Sequence, residues 1–155
     1  MNQPLPWQNV SMDAVRQSGI QPAGFVMRLE AGLIDYMLCL VGGFMTIWVG
    51  SLLAPYPDPA VLAVVGLGGM GLVFTFNHVA LATLSGQTVG KMILAIRVIS
   101  ADGRPLTWTR MLGRGTVGYF LSATPLGLGF IWAWWDPAQQ GWHDKIFSTY
   151  VVRMK

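Results

Sequence analysis

Residues 28–40 read RLEAGLIDYMLCL, and this stretch decides the fold because Arg28, Glu30 and Asp35 stand where the chain turns apolar. From Leu29 to Leu53 only Glu30 and Asp35 are charged, so the run has the length needed to cross a bilayer, about 20 residues. Asp35 then lies within the membrane. An ionised carboxylate there costs about 2.5 to 3.5 kcal/mol on insertion scales, so it calls for a partner or a task that the rest of the sequence must supply.

Composition agrees with a membrane class. The 155 residues are 53% hydrophobic and 11% charged, against about 25% charged for an average soluble domain. A chain of this size holds one small domain, so a wide pathway calls for a homo-oligomer or a membrane partner protein. Residues 1–23 are polar with no early apolar run, which disfavours a cleaved signal peptide and makes Leu29–Leu53 a retained span. Cys39 is the one cysteine, which excludes an internal disulfide and gives no metal-ligand pair. It reads as a small apolar residue of the span.

A second apolar run, AVLAVVGLGGMGLVFTFNHVALATL at 60–84, follows the short connector PYPDP, a tight turn at the membrane surface. Gly66, Gly68, Gly69 and Gly71 read as a face that lets another helix approach, although none has strict GxxxG spacing. His78 is polar within this span; it either hydrogen-bonds a neighbour near the span's end or titrates as a tuned ionisable group.

Residues 85–107 change character. GQTVGKMILAI, with Lys91 between apolar residues, is too short to span and is expected as a helix at the interface. RVISADGRPLT is expected as a hairpin, because Asp102-Gly103 supplies the positive φ of a tight turn. Thr107 caps a following helix, on which Arg110 and Arg114 sit one turn apart on one face. The third apolar region, about 108–135, is broken by TPLGLG at 124–129, so it bends back as a hairpin or crosses once. If it bends back, TYVVR at 149–153 can pair with AIRVIS at 95–100.

Lys and Arg accumulate before the first span (Arg16, Arg28), in the middle loop (Lys91, Arg97, Arg104, Arg110, Arg114) and in the tail (Lys145, Arg153, Lys155), whereas PYPDP has none. By the positive-inside rule both termini and the loop are cytoplasmic, which favours the bent third region. The expected architecture is therefore an all-α membrane protein. It has a polar segment at 1–23 and one membrane domain over 24–155, with spans at about 29–53 and 60–84, the broken region at 108–135, a loop at 85–107 and a tail at 136–155. An interfacial helix and a small cytoplasmic β-hairpin or sheet complete it.

Arg28 followed seven residues later by Asp35, GQTVGKMILAIRVISADGRPL after the second span, and WWDPAQQGWHDK followed by TYVVR together resemble the RDD family of small bacterial membrane proteins. The resemblance covers about residues 23–153, and the one Arg and two Asp that name the family match Arg28, Asp35 and Asp144. It implies a bacterial inner-membrane protein of unsettled molecular function, with transport of unidentified ligands suggested and sodium/proton exchange attributed to some members.

On a helix Arg28 and Asp35 share a face but lie about 10.5 Å apart along the axis, too far for a direct pair. Arg28 is expected to reach the headgroups or a carboxylate at its own level, Asp144 being the candidate. Asp35 needs another cation or a proton, with Lys91, Arg110, Arg114 and His78 as candidates. Three functions fit: an ion-pair network fixing loop and tail to the spans, a carrier exchanging a proton for a cation at Asp35, or an adaptor that regulates a partner protein. Anionic lipid at the cytoplasmic face is an expected contact of the basic loop in each case.

Enzyme chemistry is not expected, since no nucleophile motif accompanies the adjacent His143 and Asp144, and HExxH and CxxC spacings are absent, so neither a metal nor a cofactor is indicated. GLGGMG at 66–71 lies inside an apolar span and is no nucleotide loop. A net charge of +3, with the basic residues next to membrane segments, gives no case for nucleic acid.

Overall fold

The computed structural model describes residues 21–54, 58–102 and 104–154. Most of the PYPDP turn, Gly103 of the expected Asp102-Gly103 turn, and nearly all of the polar segment 1–23 lie outside the described residues. Helix α1, Phe25–Leu53, has 29 residues, about 43 Å at 1.5 Å per residue and long enough to cross a hydrocarbon core of about 30 Å. Asp58 opens α2, Pro59–Thr75, by accepting from the Ala60 N–H at 2.7 Å, while Pro59 occupies a position whose N–H would have no helical partner. A π-helical segment, Phe76–Leu81, and the short α3, Ala82–Ser85, continue the second span until Gly86, at φ 71°, ends it.

The two spans pack through glycine. Gly42 faces Val73, Gly43 faces Met70, Thr46 faces Gly69 and Ile47 faces Gly66, a descending order that makes the helices antiparallel. A Cβ on Gly66 would sit 2.6 Å from Ile47 Cδ1, so backbone contact depends on its absence. Gly68 and Gly71 do not share this face, since a Cβ on either would meet nothing within 4 Å. Leu33, Phe44, Trp48, Val64, Leu67 and Leu72 stay exposed along the outer faces. Helices apolar all round are solvated by lipid, and the chain is a membrane protein.

The expected interfacial helix is shorter than its apolar run. Helix α4 covers only Val89–Ile93, with Thr88 as its cap, and Ile96 already begins β1, Ile96–Ser100. Gly90 packs directly on the Ala31 carbonyl of α1, which docks α4 on the first span and buries Lys91. The expected pairing of TYVVR with the AIRVIS run is present: β1 pairs antiparallel with β2, Thr149–Arg153, from Ile96 opposite Arg153 to Ser100 opposite Thr149, while residues 104–107 form no strand. Pro105 explains the choice, since a return strand after Gly103 would lack a donor there, whereas TYVVR has a full set. The Ala23 N–H donates to the Val151 carbonyl at 2.8 Å, which ties the entry of α1 to the same sheet.

Between the strands the third apolar region doubles back. Helix α5, Trp108–Gly113, a π-helical segment, Arg114–Gly118, and α6, Tyr119–Ala123, lead to a turn with Leu126 and Gly127 at φ 54° and 78°. Helix α7, Leu128–Ile131, and a 3₁₀ turn, Trp132–Trp134, then return at 108° to the incoming arm. Gly129 fits against Ser122, where a Cβ would come 2.5 Å from the Ser122 Cα. Because β1 and β2 bracket this region and pair, the chain leaves and re-enters on one side. The tail forms α8, Trp142–Ile146, before β2. Trp134 packs 5.6 Å from Phe25 at the entry of α1, an aromatic belt position.

Candidate functional site

Two clusters of charge lie where α1, α4, the π-helical segments and α8 converge. The outer one is built on Asp144, which has no exposed surface. Arg28 Nη1 donates to it at 2.7 Å and Arg114 donates twice, from Nη2 at 2.6 Å and Nε at 3.1 Å. The Thr149 hydroxyl and the Gly141 N–H, each at 3.2 Å, complete the set. Arg28 also donates to the Ala23 carbonyl at 2.9 Å and the Val151 carbonyl at 3.3 Å, so one guanidinium joins α1, α8 and β2. Burial alone would raise the Asp144 carboxyl, but its charged surroundings hold it well below the usual carboxylate range. His143 stands 3.6 Å away, and burial pushes its ring down to about 3 despite Asp144. A ring neutral at pH 7 contributes little charge, so the two guanidiniums keep Asp144 ionised.

The inner cluster is built on Asp35, and its partners are neutral. Oδ1 accepts from Asn77 Nδ2 at 2.7 Å and from the Gly90 N–H at 2.8 Å, and Oδ2 accepts from the Thr88 hydroxyl at 2.5 Å. His78 Nε2 lies 4.0 Å from Oδ2, and its Nδ1 is buried without a hydrogen-bond partner among the described residues. Asn77 Oδ1 in turn accepts from the Val89 N–H at 2.8 Å. The carboxylate thus holds the second span and α4 against the first.

Lys91 differs from every other charged group here. It is 6% exposed, and its ammonium makes no hydrogen bond or ion pair with a described residue. Burial is the main cause pulling it below the ordinary lysine value, with Tyr119 first and then Asp35 and Asp144 opposing.

A cavity of about 540 Å³ connects these groups to the apolar spans. Arg28, Asp35, His78, Lys91, Arg114 and His143 line its polar end. Leu33, Tyr36, Met70, Phe74 and Phe130 are among its apolar walls, and Leu33 and Tyr36 are half exposed, so that flank is open toward lipid. His78 stacks on Phe74 with ring centroids 4.5 Å apart.

Of the residues singled out in the sequence, Arg28, Arg114 and Asp144 meet in one cluster, and Asp35, His78 and Lys91 meet around the cavity. Arg110 does not join them. It donates to Asp102 at 3.0 and 3.2 Å, and to the Ser100 hydroxyl, although the Arg114 N–H bonds its carbonyl one turn on. Asn77, Thr88 and Gly90 are the partners that sequence reasoning missed. Asn77 beside His78 in an apolar span was the available signal; Gly90 acts through its backbone and left none. Among the described residues no three His, Cys, Asp or Glu side chains gather as a metal set.

Comparison with known proteins matches residues 22–148 to the RDD family. The chain is 30% identical over 147 residues to "Uncharacterized membrane protein YteJ" of Bacillus subtilis (strain 168), covering 86% of this chain and 82% of that protein. It is 29% identical over 136 residues to "Uncharacterized protein YckC" of the same organism, covering 85% of each. No solved structure matches.

Proposed function

The chain belongs to the RDD family, and from that premise we propose that it moves a small ligand or ion across the bacterial inner membrane, using the cavity as its site and Asp35, His78 and Lys91 as its ionisable group. The observation that carries this is the unequal satisfaction of the two clusters. Asp144 is saturated by two guanidiniums and serves as the clamp between spans, tail and sheet. Asp35 and Lys91 are both buried and line one cavity, yet the carboxylate has only neutral donors and the ammonium makes no bond to a described residue. Groups held so are kept in membranes where a charge or proton is exchanged, since a purely structural pair would gain by direct contact.

The basic residues at the sheet end support a cytoplasmic placement of both termini, in accordance with the positive-inside rule. A pathway across the bilayer from so short a chain calls for a second copy or a partner subunit. The role is that of a carrier and not of an enzyme. Purified protein in liposomes, with imposed pH and cation gradients, tests it: flux above empty liposomes, lost in Lys91→Met, is the expected result. A folded protein that moves no proton, cation or anion in any gradient overturns the proposal and leaves the clamp, or an adaptor, as the function.

A further inference from the structure

The cavity names its own ligand class through charge and shape. Arg28, Lys91 and Arg114 bring three cations to its polar end against the Asp35 carboxylate, with Asp144 bonded to the two guanidiniums outside the lining. Asp144 offsets one of the two guanidiniums that share it and Asp35 offsets one further cation, so the polar end carries one net positive charge, and Lys91 is its buried ammonium, lining the cavity without a bond to any described residue. A buried cation of that kind is stable only with a counterion. The rest of the lining is apolar and its flank at Leu33 and Tyr36 is open toward lipid. The volume of about 540 Å³ falls in the range of sites for ligands of modest size, roughly 300–1,000 Å³.

We propose that the ligand is a single-chain carboxylate amphiphile, its head on the Lys91 ammonium and its tail between α1 and the second span. A monoanion matches the single surplus charge, and an acyl chain matches walls such as Leu33, Met70, Phe74 and Phe130. The tail enters sideways from the bilayer through the open flank. A bare cation fits poorly, because each donor around Asp35 points a proton at the carboxylate and the Lys91 ammonium lines the same cavity. Two glycines keep the tail compartment open: Gly32 and Gly71 line it, and a Cβ on either would meet nothing within 4 Å.

The proposal rests on the cavity being the ligand site assigned above, but binding at equilibrium tests it separately from transport. Purified protein in nanodiscs of zwitterionic phospholipid is titrated with labelled hexadecanoate, with hexadecanol and hexadecyltrimethylammonium as competitors. Saturable hexadecanoate binding is expected, with each competitor at least about tenfold weaker. Lys91→Met should weaken hexadecanoate by about tenfold or more, whereas Lys145→Met, a cation paired with Asp136 away from the cavity, should leave it unchanged. Gly71→Leu should abolish binding with the melting temperature retained, since it fills open space and adds helix propensity. Equal binding of the alcohol, preference for the trimethylammonium, or unchanged hexadecanoate affinity in both folded Lys91→Met and Gly71→Leu overturns the inference. Binding without flux in liposomes would instead keep it and sink the transport role.

Discussion

Asp144 is where a single atom change should matter most for stability. Two guanidiniums, a hydroxyl and a backbone N–H converge on a carboxylate with no exposure, so Asp144→Asn strands the buried Arg114 and the partly buried Arg28 and should cost about 3 to 5 kcal/mol in unfolding experiments. An unchanged unfolding midpoint would contradict the clamp. His143 predicts a pH response beside it. Its folded ring is held at about 3, against about 6.5 when unfolded, so below about 6.5 the unfolded chain binds the extra proton and stability falls as pH drops toward 3. Asp144, depressed in the fold, adds stability that is present above the ordinary carboxylate range and lost below it. The melting temperature should therefore decline steadily from neutral pH to about 4, and His143→Asn should flatten that decline. A wild-type melting temperature independent of pH over that window would contradict the assignment. Much at this scale was legible in sequence: a charge in an apolar run marks itself, and Arg28, Asp35 and Asp144 stood out without a structure. The neutral partners of Asp35 did not, because backbone donors such as Gly90 carry no sequence signal.

At the level of elements, apolar length and the run TPLGLG were reliable guides. The two spans follow from their runs, and TPLGLG does break the third region, because Gly127 accepts a left-handed φ and Gly129 allows the returning arm to touch Ser122. Of the two partners the sequence offered β1, a local return after Asp102-Gly103 and the distant TYVVR, the distant one pairs, as strand pairing answers to donors and packing and not to proximity in sequence. Helix α4 makes a measurable case. Gly90 touches the Ala31 carbonyl and gives its N–H to Asp35, so Gly90→Val should lower stability by about 1 to 3 kcal/mol through overpacking, whereas Gly68→Ala on the open face should leave it unchanged or raise it by up to about 1 kcal/mol. Equal thermal midpoints for the two variants would show that α4 does not dock there.

For the whole molecule, the entry of α1, α4, the sheet and α8 assemble at one end, and the capped start of the second span lies at the other. The positive-inside rule then predicts that a membrane-impermeant thiol reagent, applied to intact cells in a Cys39→Ala background, labels Asp58→Cys and spares Lys145→Cys. The reverse pattern would invert the topology. If Asp144 holds the structure while Asp35 serves transport, one substitution separates the two roles. In Asp35→Asn the amide oxygen can still accept from Asn77 and Gly90 while its NH₂ donates to Thr88, so shape and bonding survive and only the charge is lost. Flux of the purified variant in liposomes should fall at least about tenfold with the melting temperature close to wild type; full flux, or flux lost only together with the fold, would contradict the account.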